Sequence, residues 1–286
     1  MNKTSPFEEI VQKNENKLNF GIGKAILYSA VAVIIMQFAG GIISIPAIFY
    51  QPLNHVLLPL GFLTGTVSAI VILLMLTQTK FTTILQAIKH PFTAIQLILS
   101  IACWLFLLPL AEVFTGLIPT TGPLEDIYKI FQSSFEMMLD YKIAGFIMVC
   151  LFAPIFEEII FRGIILKGML NYKVNPTIAI LINGFVFGMA HMNPWQFIGA
   201  GLLGIIFGIV YHRTKSLFLP ILLHFLNNTL SYSLMLIQGD MEGEVFAHRD
   251  YLLIGGMTLI GILSVFLLMK QTEQKTIYNG INFCHT

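Results

Sequence analysis

The sequence predicts an all-α fold, a polytopic membrane helical bundle of about eight transmembrane helices. Three observations predict it. Hydrophobic residues make up 56% of the 286 and charged residues only 11%, against roughly 25% charged in a soluble domain. Mean hydropathy is +0.80. Apolar runs recur from about residue 25 to about residue 269, and most of the charge collects between them.

The runs read, in order, 25–50, 54–78, 91–119, 143–170, 176–192, 196–211, 216–237 and 251–269. A span needs roughly 20 residues, about 17 if upright, so the fifth and sixth are short while 143–170 is long enough to tilt or break. The first run is too long for a signal-peptide core and has no clear cleavage site, so it is expected to remain as a helix. Small residues recur at four-residue spacing, Gly184 and Gly188, then Ala200, Gly204 and Gly208. That spacing lets helix backbones approach closely in lipid, so the fifth and sixth segments are expected inside the bundle. Around this single transmembrane domain, 25–269, residues 1–24 form a polar arm and 270–286 a polar tail, with no internal repeat.

Charge tests the count of spans. With the N-terminus inside, twelve of the 16 Lys and Arg fall on the cytoplasmic side, three outside, and Arg162 alone within the membrane. Both termini are therefore expected in the cytoplasm, with the acid-rich loops 120–142 and 238–250 outside. The lipid bilayer is the expected surrounding, and a net charge of +1 gives no reason to expect a nucleic-acid partner. Three cysteines provide no disulfide framework: Cys103 and Cys150 lie in apolar runs, and Cys284 is third from the end, so the chain does not itself end in a Cys-a-a-X lipidation box.

The stretch "PIFEEIIFRG", residues 154–163, breaks the pattern by placing Glu157, Glu158 and Arg162 within a membrane run. Each ionised group at mid-bilayer costs roughly 2.5–3.5 kcal/mol, so three uncompensated would cost on the order of 8–10 kcal/mol. Glu158 and Arg162 are spaced i, i+4 and can pair along one helix face. Glu157 is turned about 100° away and cannot share Arg162 as easily, so it is expected to face a wet cavity or a partner. Pro154 cannot donate to the carbonyl of Cys150, which is expected to kink the helix and admit water or a side chain.

Two histidines also lie in apolar runs. His191 closes "FGMAH" with Phe187 one turn earlier, and His224 opens "HFLNN" with Asn228 one turn later. A lone buried histidine is more often a hydrogen-bonded core residue, and the charged cluster could simply hold helices together. Asn227 is expected to serve packing, while His55, His90, His212, His248 and His285 sit at segment ends, in loops or in the tail and are read as solvated. Taken together, Glu157, His191, His224 and Asn228 suit hydrolysis. A carboxylate and an imidazole hold and deprotonate a water, and a second imidazole and an amide donate to the oxyanion formed on a peptide carbonyl.

The three patterns, EE-x-x-x-R, F-x-x-x-H and H-x-x-x-N on separate apolar helices, resemble the CPBP family of intramembrane proteases, also called Abi or type II CAAX prenyl endopeptidases. The resemblance covers about 150–230, within a core at about 143–237, and the eight-helix count agrees with it. It implies that Glu157 and His191 activate the water, that His224 and Asn228 form the oxyanion site, and that Glu158 and Arg162 orient them. A Zn²⁺ ion held by Glu157, His191 and His224 is an alternative, although the H-E-x-x-H of ordinary zinc proteases is absent. No G-x-S-x-G serine motif and no G-x-G-D aspartyl motif occurs.

The expected activity is an endopeptidase cutting a membrane-associated peptide or protein, in peptide processing or bacteriocin self-immunity, with short loops favouring a bacterial-type member. Because His191 lies near the outer end of its segment, the cavity is expected to open outward. The alternatives are a non-catalytic scaffold or immunity protein that binds a peptide or partner helix in the same cavity, and an ion-coupled transporter. The last predicts a repeat symmetry that the sequence lacks.

Overall fold

A computed structural model describes residues 18–238 and 250–271. The expectations for most of the N-terminal arm, for 239–249 of the second acidic loop with His248, and for the tail from 272 with Cys284 and His285 lie outside the described residues.

Ten helices build the described chain: α1 Ile22–Phe49, α2 Asn54–Leu76, α3 Phe81–Ile88, α4 Ala94–Gly116, α5 Glu125–Asp140, α6 Lys142–Asn171, α7 Pro176–Met189, α8 Pro194–Thr214, α9 Phe218–Gln238 and α10 Tyr251–Lys270. The described residues contain no strand. Eight of the helices coincide with the predicted runs, and α3 and α5 are additional short helices in segments read as loops. Six helical segments are long and apolar enough to cross a membrane by themselves: α1, α2 with the single 3₁₀ turn before it, α4, α6, α8 and α10. The two others fall short of that measure for physical reasons. α7 has only 14 residues, and α9, though 21 long, carries His224, Asn227, Asn228, Ser231 and Ser233.

The sixth segment is also longer than expected. α8 runs 21 residues, about 30 Å, because the Asn193 side chain accepts from the Gln196 amide at its start and Lys215 turns left-handed (φ 56°) at its end. Asn175 caps α7 in the same way ahead of Pro176, and Thr93 with Gln96 forms a reciprocal capping box at the start of α4.

Loop contacts sort the connections into two ends. At one end the Phe20 amide donates to the Gly168 carbonyl (3.2 Å), Asn171 Nδ2 donates to the Leu18 carbonyl (2.8 Å), and the Leu217 amide donates to Ala87 (2.8 Å). At the other, Tyr141 Oη donates to the Gln51 carbonyl (2.9 Å), and Trp195 stacks on Phe131 (5.7 Å) and donates to the Ile118 carbonyl. This is the partition that alternating spans require.

Two cores result. The larger surrounds the second half of α6, where every residue from Ile159 to Leu166 is buried against α1, α2, α3 and α7. The smaller joins Cys103 and Trp104 of α4 to Phe207 and Val210 of α8, Leu223 of α9 and Leu268 of α10. α7 and α8 touch backbone to backbone: a Cβ on Gly184 would lie 2.9 Å from the Gly201 carbonyl oxygen, and one on Gly188 would lie 2.5 Å from that of Phe197. Hydrocarbon solvates apolar side chains as well as a protein core does, so such close contact is what holds helices together in lipid.

Candidate functional site

The site is built on α6, which is not a uniform α-helix. Two π-helical stretches, Ile147–Phe152 and Ile159–Leu166, flank a single α-helical segment, Ala153–Glu158. The first of them holds the Cys150 carbonyl, with which Pro154 would otherwise clash, and both loosen carbonyls that neighbouring helices then satisfy. Asn228 Nδ2 of α9 donates to the Val149 carbonyl (2.9 Å), and Asn183 Nδ2 of α7 donates to the Phe161 carbonyl (2.8 Å). The break expected at Pro154 thus admits the Asn228 side chain, and the second stretch admits Asn183 on the other side of the two glutamates.

Glu158 and Arg162 pair as their spacing predicts. Both are fully buried, and Arg162 Nη1 donates to Glu158 Oε1 at 2.8 Å. Arg162 Nη2 donates to the Gly204 carbonyl of α8 (2.9 Å), and the guanidinium lies 4.4 Å from the centre of the Phe187 ring. The same Glu158 oxygen meets His224 Nδ1 at 2.9 Å. His224, only 5% exposed, is therefore held by Glu158, a contact the sequence reading did not anticipate. Nε2 is left as its free ring nitrogen.

Glu157 is half-buried and lies outside that network. With His191 it lines a small cavity of about 50 Å³, walled by Val33, Met36 and Gln37 of α1, Phe161 of α6 and Ala190. A volume of roughly 10–15 Å³ suffices for one water, so this space admits a few. His191 Nδ1 donates to the Phe187 carbonyl (2.9 Å), which leaves Nε2 as its uncommitted ring nitrogen. Phe187 ties the two halves together. Its ring meets His191 edge-on at 5.1 Å and His224 at 5.8 Å while receiving Arg162 on its face.

Asn228 is half-buried, with one amide hydrogen committed to Val149. Its oxygen accepts from Asn227 Nδ2 (3.2 Å), and the Asn227 oxygen accepts from Trp104 Nε1 of α4 (3.2 Å). Asn227 is thus the middle of a relay that fixes the Asn228 amide. The three candidates for a Zn²⁺ site do not gather as one donor set. Among the described residues no three His, Cys, Asp or Glu side chains are placed to hold a metal ion. The donor arrangement does not fit that alternative. His212, read as solvated, is half-buried with Nδ1 enclosed, whereas His55 is exposed as expected.

Sequence reasoning missed Asn183, Trp104 and the α1 wall. Gln37 carried a signal: it is the one carboxamide in the whole of α1. Near the His191 end of the bundle, α5 leans its Tyr128 and Phe131 on Trp195 and keeps its charges outward. There the Lys129 ammonium holds the Glu125 carboxyl below the usual carboxylate range through a 2.7 Å hydrogen bond.

Residues 140–230, which hold every residue of the network except Trp104 and the α1 wall, match the family of type II CAAX prenyl endopeptidases described as Rce1-like. By this segment the chain resembles the CPBP family. Two curated relatives are similar to part of the chain. "Putative membrane peptidase YdiL" of Bacillus subtilis (strain 168) is 36% identical over 106 residues, covering 37% of this chain and 43% of that protein. "Membrane-embedded CAAX protease MroQ" of Staphylococcus aureus (strain USA300) is 36% identical over 94 residues, covering 30% of this chain and 38% of the relative. The match therefore spans less than half the length of either. No solved structure matches the chain. The family match, 140–230, takes in the helices that carry the glutamates, the two histidines and Asn228 and leaves α1–α4 outside it.

Proposed function

We propose that the protein is an intramembrane endopeptidase that hydrolyses a peptide bond in a membrane-associated peptide or protein. The observation that carries this reading is the separation of the two adjacent glutamates. Glu158 is consumed by Arg162 and His224, while Glu157 shares a small cavity with His191. A carboxylate without a structural partner, beside an imidazole and room for water, is the arrangement that general-base hydrolysis needs.

In this reading Glu157, assisted by His191, takes a proton from water as its oxygen attacks the peptide carbonyl carbon. The remaining Asn228 N–H donates to the oxyanion that forms, and His224, held through Nδ1 by Glu158, donates from Nε2 when its ring carries both protons. Collapse of the tetrahedral intermediate breaks the C–N bond. Glu157 then returns its proton to the leaving amine, so that one water is consumed and an acid and an amine are released. Arg162 and Glu158 touch neither water nor peptide and act by positioning. No step requires a metal.

The printed names of the two relatives, one a membrane peptidase and one a CAAX protease, support the class of reaction. Their bacterial sources support a place in a bacterial plasma membrane, and the lysine count supports both termini in the cytoplasm. His191 then lies toward the outer face, which favours an exported or membrane-resident peptide, as in peptide processing or bacteriocin self-immunity, over a cytosolic tail.

The test is purified protein in lipid nanodiscs against a peptide library, wild type beside Glu157→Ala, with and without chelator. Cleavage by wild type that persists in chelator and vanishes in Glu157→Ala, with unfolding unchanged, is the expected result. Equal cleavage by the variant refutes the assignment of the base. Retention of the protein's cellular effect in the variant would instead favour a scaffold that binds in the same cavity.

A further inference from the structure

We infer that Gln37 is a substrate-binding residue, holding by its carboxamide the backbone of a peptide that has been locally unwound at the mouth of the Glu157–His191 cavity. This rests on the hydrolase reading for its substrate class, while Gln37 itself lies outside the family segment.

Gln37 sits midway along α1, in the run "VIIMQFAGG", with exposed apolar neighbours Ile34 and Phe38 that mark this face of the helix as lipid-facing. It is itself exposed, and no hydrogen bond to it occurs among the described residues. A free carboxamide is costly in hydrocarbon and is retained where it faces a polar cavity or a ligand. Gln37 does face one, because it lines the cavity shared by Glu157 and His191.

The chemistry of the side chain identifies its partner. In a bilayer a peptide satisfies its own backbone by staying helical. A helix shields its carbonyl carbons from attack, so a bond about to be cut must be locally extended, and that frees N–H and C=O groups with no water to take them. A glutamine offers two donors and an acceptor, which matches an extended backbone edge much as an added strand does. A wall of Val33 and Met36 alone could not.

The experiment uses full-length protein in nanodiscs and fluorescein-labelled peptides with an apolar core flanked by lysines. Binding is measured in the Glu157→Gln background and cleavage with Glu157 intact. Gln37→Leu is expected to weaken binding and raise KM about tenfold, the worth of one hydrogen bond of ordinary strength, with kcat nearly unchanged. Resistance to unfolding should stay level or rise, since a polar group has left the lipid. A scan of peptides with a single backbone amide replaced by an ester supplies the second readout. At one position the ester should cost wild type the same factor and cost Gln37→Leu nothing.

Binding and cleavage equal to wild type would overturn the inference, as would ester effects that add to the substitution at every position. A loss of activity accompanied by an equal loss of stability would also overturn it, by assigning Gln37 to helix packing. If Glu157→Gln still cuts, the assignment of Glu157 as the base falls while the hydrolase reading stands, and Gln37 is judged on binding alone. If wild type binds no peptide, both fall.

Discussion

Replacing Arg162 by methionine leaves Glu158 buried without its principal counter-charge, and the structure sets the size of the effect. At 2.8 Å and an effective dielectric near 20, the pair's Coulomb attraction is about 6 kcal/mol, much of it offset by the cost of desolvating both groups. What the substitution measures is the cost of orphaning the carboxylate, for which broken buried pairs give about 3–5 kcal/mol. Glu158 keeps His224, so the lower end, about 3 kcal/mol, is expected. Arg162→Lys retains the charge but cannot reach Glu158, the Gly204 carbonyl and the face of Phe187 together, and should cost about 1–2 kcal/mol. Adding Glu158→Gln to Arg162→Met removes the stranded charge and should restore at least half of the loss. The assay is unfolding by dodecyl sulfate in mixed micelles at pH 7, read by fluorescence of the two tryptophans, Trp104 and Trp195, both buried. If Arg162→Met lies within 1 kcal/mol of wild type, or Glu158→Gln deepens its loss, the ion pair does not compensate the charges as argued.

Two further outcomes follow from the packing and the topology. Gly184→Ala places a methyl 2.6 Å from Ile205 Cγ1 and 2.9 Å from the Gly201 carbonyl oxygen, and should cost about 1–3 kcal/mol in the same unfolding assay. Gly201→Ala meets only the Gly184 oxygen, at an ordinary 3.6 Å, and should be tolerated; the reverse ranking would contradict the α7–α8 contact. A cysteine at Asn193 should react with a membrane-impermeant maleimide added outside intact cells, and one at Lys173 only after the cells are opened. The opposite pattern would invert the proposed orientation.

Much of the fold was legible because hydropathy reports solvent, and lipid is a uniform one. All eight apolar runs became helices. The runs misjudged were those whose ends depend on local chemistry, such as α8, extended at both ends by a cap and a left-handed residue. The amphipathic α5 was missed because its aromatics, Tyr128, Phe131 and Phe135, find their partner only once Trp195 is beside them. At the site, the Glu158–Arg162 pair could be read from i, i+4 spacing, and the separateness of Glu157 from the helical angle between neighbours. The contact of His224 with Glu158 could not, since it spans 66 positions and depends on how α9 leans on α6. The two π stretches were equally hidden. A proline announces a break, but how the break is absorbed depends on which side chains, here Asn228 and Asn183, arrive to bond the loosened carbonyls.

Why, then, two glutamates in sequence, when one could be a base? A single acid beside Arg162 would be neutralised by it and lie in the wrong direction, since the guanidinium is anchored to Gly204 and Phe187 deep in the bundle. Neighbouring positions on a helix differ by about 100°, so a second acid one residue earlier escapes that anchor while remaining rigidly tied to it through the backbone. Glu158 holds Arg162 and His224 on the buried side, and the same turn presents Glu157 to the cavity of His191 and Gln37. The flanking π stretches determine where that turn points. A change that restored regular α-helix on either side, for instance deletion of one residue from 147–152, would rotate Glu157 and Glu158 relative to the N-terminal part of α6, and with it relative to Asn228, whose amide is fixed to Val149. Pairing and reactivity therefore depend on the same irregularity.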